Sequence, residues 1–395
     1  MIGRNELQTK TVRAGVGSDS AYGAVMPPIY LSSNFTFEGF GQQRTYDYTR
    51  SGNPTRDVLA EALADLERGA RGVVTSTGMA AITLVLQLLK PGDLLVAPHD
   101  CYGGTHRLLT ALSRKGLFDI AFIDQTQEHL LEAEVLKKPK MVWVETPSNP
   151  LLRITDIRKV ARFAQSAGAL VVVDNTFLSP VCQKPLELGA DIVVHSTTKY
   201  INGHSDVVGG AVIAKTKRLG DDLAWWANCL GITAAPFDCF LTLRGLRTLH
   251  ARMQIHQENA LALVELLARH EAVEQVYHPS LPNHPGHAIA AAQQNGFGAM
   301  ISFELAGGTE AVRAFLAELS CFTLAESLGG VETLVAHPAT MTHAAMEPEA
   351  RKVAGIGEGL LRISVGLEAK QDLLSDLEKG LNRALAIHAF SGQGV

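Results

Sequence analysis

Short apolar runs at 72–75, 94–97, 141–144, 170–173, 192–194 and 211–214 set the tightest limit on how this chain can fold. Each is rich in β-branched residues and closes in a polar or glycine-containing loop. Unbroken apolar runs of this kind suit strands covered on both faces, which means a mostly parallel sheet. The stretches between them, such as 79–89 and 156–167, carry the spacing of amphipathic helices. Strand, helix, strand in repetition predicts a doubly wound α/β domain, with its chemistry beyond the carboxyl ends of the strands.

The flanks read differently. Residues 1–60 are polar and rich in Gly, Pro, Ser and Tyr, with helical spacing only from 58 to 66. Such an arm cannot make a core alone, so it is expected to lie on another surface, including that of another subunit. The region 237–270 reads as one long helical bridge whose sole breaker is Gly245. Beyond it, 299–305 and 361–365 alternate as half-buried antiparallel strands do, which predicts a smaller C-terminal α+β domain. The expected division is an arm over 1–60, an α/β domain over 61–255 and an α+β domain over 256–395.

Composition excludes several classes. A net charge of -5 over 395 residues gives no basic excess for nucleic acid or an anionic membrane surface. No stretch approaches the roughly 20 apolar residues that span a bilayer. The first residues lack the apolar run of a signal peptide. Five cysteines stand far apart with no C-x-x-C, as reduced structural thiols do. A cytoplasmic enzyme is expected.

Three loops at predicted strand ends hold chemically useful groups. In Thr75-Ser76-Thr77-Gly78-Met79-Ala80 a strand stops and a helix begins, so unpaired N–H groups face outward. This reads either as an ordinary N-cap or as a phosphate cradle. It is neither a Walker loop nor a Rossmann glycine fingerprint. Asp174 follows a buried strand directly, where a carboxylate is costly unless paired. A turn cap, a metal and a protonated ring nitrogen would each serve. In His195-Ser196-Thr197-Thr198-Lys199-Tyr200 a lysine follows a buried strand and three hydroxyl residues. An amine in low dielectric loses its charge readily and becomes nucleophilic. Together, phosphate cradle, buried aspartate and amine are the parts that pyridoxal 5'-phosphate requires.

The chain resembles the Cys/Met-metabolism family of pyridoxal-phosphate enzymes from about residue 23 to 381. The resemblance is carried by Tyr46-Asp47-Tyr48-Thr49-Arg50-Ser51-Gly52-Asn53-Pro54-Thr55, Gly78-Met79, Asp100-Cys101-Tyr102-Gly103-Gly104 and Val172-Val173-Asp174-Asn175-Thr176. The lysine loop through Gly203-His204-Ser205-Asp206 and the late Glu326-Ser327-Leu328-Gly329-Gly330 complete it. It implies an aspartate-aminotransferase-like fold (fold type I), with Lys199 bonding the cofactor aldehyde and Asp174 facing the pyridine nitrogen. Gly78, Met79, Thr176, Ser196 and Thr198 are then cofactor-binding residues, and Tyr102 stacks on the ring and takes part in proton transfer. Tyr48 and Arg50 are implied to reach a neighbouring subunit's phosphate, in a tetramer of paired dimers. Arg362, with Ser327 and Asn149, is implied to hold the substrate α-carboxylate. Glu326 joins the substrate site, and Arg107 is a candidate for a distal carboxylate.

The reaction so implied is a γ-replacement in methionine biosynthesis, O-succinyl-L-homoserine plus L-cysteine giving L-cystathionine and succinate. Related members cleave cystathionine or use O-acetylhomoserine. Gly104 stands where methionine γ-lyases carry a reactive cysteine, and Glu326 where β-lyases usually have an aromatic residue. Those two departures favour replacement enzymes or γ-lyases, and Trp225-Trp226-Ala227-Asn228 and Ala339-Thr340-Met341-Thr342-His343 look more like the replacement enzymes. Ser51, where close relatives often have arginine, leaves the ester open. A nicotinamide-dependent oxidoreductase would want the missing glycine fingerprint, and a non-catalytic protein on this fold would be expected to have lost Lys199, Asp174 or Tyr102.

Overall fold

The computed structural model describes residues 6–342 and 354–391. His343, the last residue of one quoted motif, lies outside them. Seven strands form the first sheet: β1 (Arg71–Thr75), β2 (Leu94–Pro98), β3 (Asp119–Ile123), β4 (Met141–Glu145), β5 (Leu170–Asp174), β6 (Ile192–His195) and β7 (Gly210–Ala214). Their order is β1-β7-β6-β5-β4-β2-β3. β7 pairs antiparallel with both neighbours, and the other pairs are parallel. The sheet is therefore mostly parallel, and β1, β2, β4, β5 and β6 all point their carboxyl ends to one edge.

Alternate residues of each strand feed two different cores. Trp143, Val172, Val194 and Val212 pack under helices Gly78–Leu86, Gly103–Arg114 and Lys217–Leu230. Val142, Val144, Val171, Val173 and Val193 pack under Pro54–Glu67, Ile157–Ser166 and Leu249–Leu267 on the opposite face. Apolar runs without alternation are what a sheet covered on both faces demands.

The second sheet holds β8 (Val273–Tyr277), β9 (Met300–Leu305), β10 (Thr323–Leu324), β11 (Leu334–Ala336) and β12 (Leu360–Ser364), in the order β10-β11-β12-β9-β8. The sequence predicts half-buried strands here, but β12 is buried at every residue. Its alternation is real nonetheless. Phe303, Leu361 and Ile363 face the core, while Ser302, Arg362 and Ser364 face the first sheet's loops. Ser302 Oγ donates to Pro150 O at 2.6 Å across that boundary. The polar face is covered by protein rather than by water.

The helical bridge also departs from expectation. It is two helices, Pro236–Leu246 and Leu249–Leu267, broken at 247–248. Gly245 packs against the Asn202 main chain with no room for a side chain. The buried Arg252 guanidinium then donates to Tyr200 O at 2.7 Å and Gly245 O at 2.8 Å. That contact braces the segment that follows Lys199. Residues 14–53 hold turns and isolated bridges only, with Tyr22 and Phe40 almost wholly exposed.

Candidate active site

The chain leaves β1 for the start of a helix, where the sequence predicts an anion cradle. Thr77 caps helix Gly78–Leu86, its Oγ1 accepting from Ala80 N at 2.8 Å. The N–H groups of Gly78 and Met79, at the first two helical positions, have no intrahelical acceptor and lie at the positive end of the helix dipole. A Cβ added to Gly78 would lie 2.8 Å from Ser196 Cβ, so two separate loops meet at this point. Ser196 is half-buried, and its backbone N–H donates to Thr176 Oγ1 at 2.9 Å. Thr198 Oγ1 is turned to the Gly209 main chain, accepting from its N–H at 3.0 Å and donating to its carbonyl at 3.2 Å.

Asp174 stands at the end of β5, in register with Val194 on one side and Glu145 on the other. Its Oδ1 accepts from Thr176 N at 3.0 Å. Burial pushes its carboxyl above the usual range, against the hydrogen bonds of Thr176 and the field of His195. On the opposite face of the sheet, His195 Nε2 meets Glu67 Oε1 at 2.6 Å, both fully buried, and Asn175 Nδ2 donates to the same oxygen at 2.9 Å. This contact ties the lysine strand and the Asp174 loop to helix Pro54–Glu67.

Lys199 is half-buried, and its Nζ donates to Ser327 Oγ at 2.8 Å. Burial, then the Arg362 charge, lowers its pKa to about 8, with Glu326 opposing. Near neutral pH about a tenth of such an amine is already free base and nucleophilic, and the share rises through pH 8. An unperturbed lysine stays protonated until about pH 10.4. In the apoprotein, trinitrobenzenesulfonate is expected to label Lys199 half-maximally near pH 8, read by mass spectrometry of its peptide. Labelling that follows the surface lysines instead would contradict this environment.

Arg362 reaches the same cleft from β12. Its Nη1 donates to Asn149 Oδ1 at 2.8 Å and its Nη2 to Ser327 O at 2.9 Å. Ser327 sits at φ 85, a backbone conformation uncommon outside glycine, which turns its hydroxyl to Lys199 and its carbonyl to Arg362. Among the described residues no carboxylate lies within ion-pair distance of this buried guanidinium, and its Nε has no acceptor. Burial lowers its pKa to about 10. A buried cation is costly without an anion beside it.

Of the other predicted residues, Tyr102 is 46% exposed at the head of helix Gly103–Arg114. A Cβ at Gly104 would lie 2.5 Å from the Tyr102 ring and 3.0 Å from Met79 Sδ, so a cysteine there would displace the tyrosine. Glu326 is exposed and acts on Lys199 and Arg362 through its charge. Arg107 is exposed. Arg50 lies over the Tyr48 ring at 5.5 Å, and neither side chain hydrogen-bonds Gly78, Met79, Ser196 or Lys199 of the same chain. Sequence reasoning missed Glu145, the last residue of β4. The rule that selected Asp174, a carboxylate closing a buried strand, would have found it.

The model of the Cys/Met metabolism PLP-dependent enzyme family matches residues 8–382. The chain is 58% identical over 377 residues to cystathionine gamma-synthase of Escherichia coli, covering 95% of this chain and 98% of that protein. It is 46% identical over 380 residues to cystathionine beta-lyase of Coxiella burnetii, covering 96% and 98%. Among solved structures, it is similar to cystathionine gamma synthase from Xanthomonas oryzae pv. oryzae in complex with aminoacrylate and cysteine. The TM-score there is 0.96 at 64% identity, covering 97% of this chain and 99% of that one.

Proposed function

Because the chain belongs to the Cys/Met metabolism PLP-dependent enzymes, we propose that it carries out the cystathionine γ-synthase reaction. L-Cysteine displaces succinate from O-succinyl-L-homoserine: the Cγ–O bond breaks, a Cγ–S bond forms, and the thiol proton is released. The cofactor is pyridoxal 5'-phosphate, and the described residues fit it. The two unbonded N–H groups at Gly78 and Met79 suit its phosphate, Asp174 its ring nitrogen and Lys199 its aldehyde. When bound, it supplies an electron sink that acidifies substrate C–H bonds.

The chain's own groups do the rest. Arg362 binds the substrate α-carboxylate through donors that Asn149 and Ser327 leave free, holding Cα beside the lysine. Lys199 Nζ, with a pKa about 8, takes the Cα proton and gives it back near neutral pH. Its long side chain can also reach a Cβ proton, which a fixed carboxylate could not. Ser327 Oγ holds the amine when it is not working. Glu326 is set to meet a substrate ammonium, and Arg107 a distal succinyl carboxylate. Tyr102 would stack on the ring, and Ser196 and Thr198 would add contacts to the phosphate, with Thr176 holding the Ser196 backbone.

Tyr48 and Arg50 serve the neighbouring subunit of a tetramer, which gives the exposed arm a surface to cover. No helix among the described residues is long and apolar enough to cross a membrane.

The observation that carries the reading is the pairing of a depressed-pKa amine with a buried guanidinium that has no carboxylate within ion-pair distance among the described residues. Similarity to the synthases at 58% and 64% identity selects replacement over cleavage. The test compares three incubations: O-succinylhomoserine with cysteine, O-acetylhomoserine with cysteine, and cystathionine alone. The first is expected to be fastest. Cystathionine cleavage that greatly outruns its synthesis from either ester would make the chain a lyase.

A further inference from the structure

We infer that Glu145 is a positioning residue for this reaction, fixing the Tyr102 main chain and setting the charge beside Asp174. The inference rests on the reading above, since it has meaning only if Tyr102 and Asp174 face pyridoxal 5'-phosphate.

Glu145 closes β4, between β2 and β5, and is buried. Both its oxygens are engaged. Oε2 accepts from Tyr102 N at 2.7 Å, and Oε1 from the Trp143 indole N–H at 3.1 Å. The first bond crosses from the end of β4 to the residue that opens helix Gly103–Arg114. Tyr102 has no side-chain cap of its own at that helix start, so this carboxylate anchors its backbone.

A neutral amide oxygen could close that turn at much smaller desolvation cost. A buried carboxylate is the expensive choice, and no lysine or arginine lies within ion-pair distance of it among the described residues. What lies beside it is Asp174, its register partner on the neighbouring parallel strand. In-register residues of adjacent strands project to the same face, about 4.8 Å apart. The other titratable groups facing Glu145 are Asp100 and Cys101 on the loop after β2, together with Tyr102 itself. None is a cation. Burial, then Asp174, pushes Glu145 up to about 8.

Two carboxyl groups held together away from water repel unless a positive charge joins them. A protonated ring nitrogen against Asp174 is such a charge. With that charge in place both carboxyl groups would ionise, so Glu145 would add a second negative charge behind the first and stabilise that proton, while its bond to Tyr102 N holds the tyrosine backbone.

The test uses Glu145→Gln, which keeps the volume and removes the charge. Affinity of the apoprotein for pyridoxal 5'-phosphate, followed by protein fluorescence, is expected to fall roughly ten-fold or more. The pH midpoint of the holoenzyme's visible absorbance should move down by at least about half a unit, because cations lose a stabilising neighbour. Glu145→Asp, which keeps the charge but is too short for Tyr102 N, should restore the midpoint and leave kcat low. If Glu145→Gln does not fold, Trp143→Phe withdraws the indole donor and should move the midpoint in the same direction by less. An unchanged midpoint and affinity in whichever variant folds, with only a lower Tm, would reduce Glu145 to a structural cap and overturn the inference. Failure of the underlying reading would look different: wild-type protein with no visible absorbance that borohydride removes, even after the cofactor is added.

Discussion

Lys199→Ala is expected to lower turnover roughly ten-thousand-fold while leaving Tm within about 2 °C of the parent. The first half follows from asking one amine to serve as both attachment point and mobile base. No other lysine shares its loop, and the nearest hydroxyl, Ser327 Oγ, is a weak base at any working pH. The second half follows from the surroundings. Burial and the Arg362 charge both disfavour the protonated amine, so its loss relieves a repulsion. The one hydrogen bond lost leaves Ser327 Oγ in an exposed residue, where water replaces the amine. Initial rates with O-succinylhomoserine and cysteine, alongside a thermal melt, check both halves. Activity within ten-fold of the parent would remove Lys199 from the mechanism.

Arg362→Lys is expected to raise KM for the homoserine ester roughly hundred-fold, close to 3 kcal/mol of binding. Lysine keeps the charge but not the planar fork. It can satisfy Asn149 Oδ1 or Ser327 O, yet cannot also present two parallel donors to a carboxylate. Arg362→Ala should do worse, because it strands both acceptors and leaves a cavity at a buried position. Comparing the two variants separates charge from geometry: equal losses would mean that only the fork matters. A lysine variant within three-fold of the parent in kcat/KM would mean that the α-carboxylate binds elsewhere.

Legibility followed burial. The six apolar runs are all strands, because their middles are covered on both faces and polar residues stand only at strand ends, as at Thr75, Glu145, Asp174 and His195. β3 was missed for the opposite reason. It is an edge strand, Asp119–Ile123, opening on an exposed aspartate and fully buried only at Ile123. The break at 247–248 could not be read because nothing local forces it; Gly245 meets the Asn202 main chain only in the folded molecule. Arg362 was legible through resemblance alone, since an arginine in an alternating strand ordinarily faces water. Its environment comes from two sheets meeting across the loop at Asn149, which no sequence spacing encodes. Glu145 was missed although its pattern matched that of Asp174.

Helix Pro54–Glu67 has the arm bearing Tyr48 and Arg50 at its head and the bond to His195 at its tail. Its 14 residues make a strut about 21 Å long. Each residue added or removed would swing one end about the axis by about 100° and shift it by about 1.5 Å. Glu67 would then leave an imidazole and an amide facing apolar side chains. The length of this helix is thus as tightly specified as any residue in the cleft, and family members should vary its outer surface freely while tolerating no insertion within it.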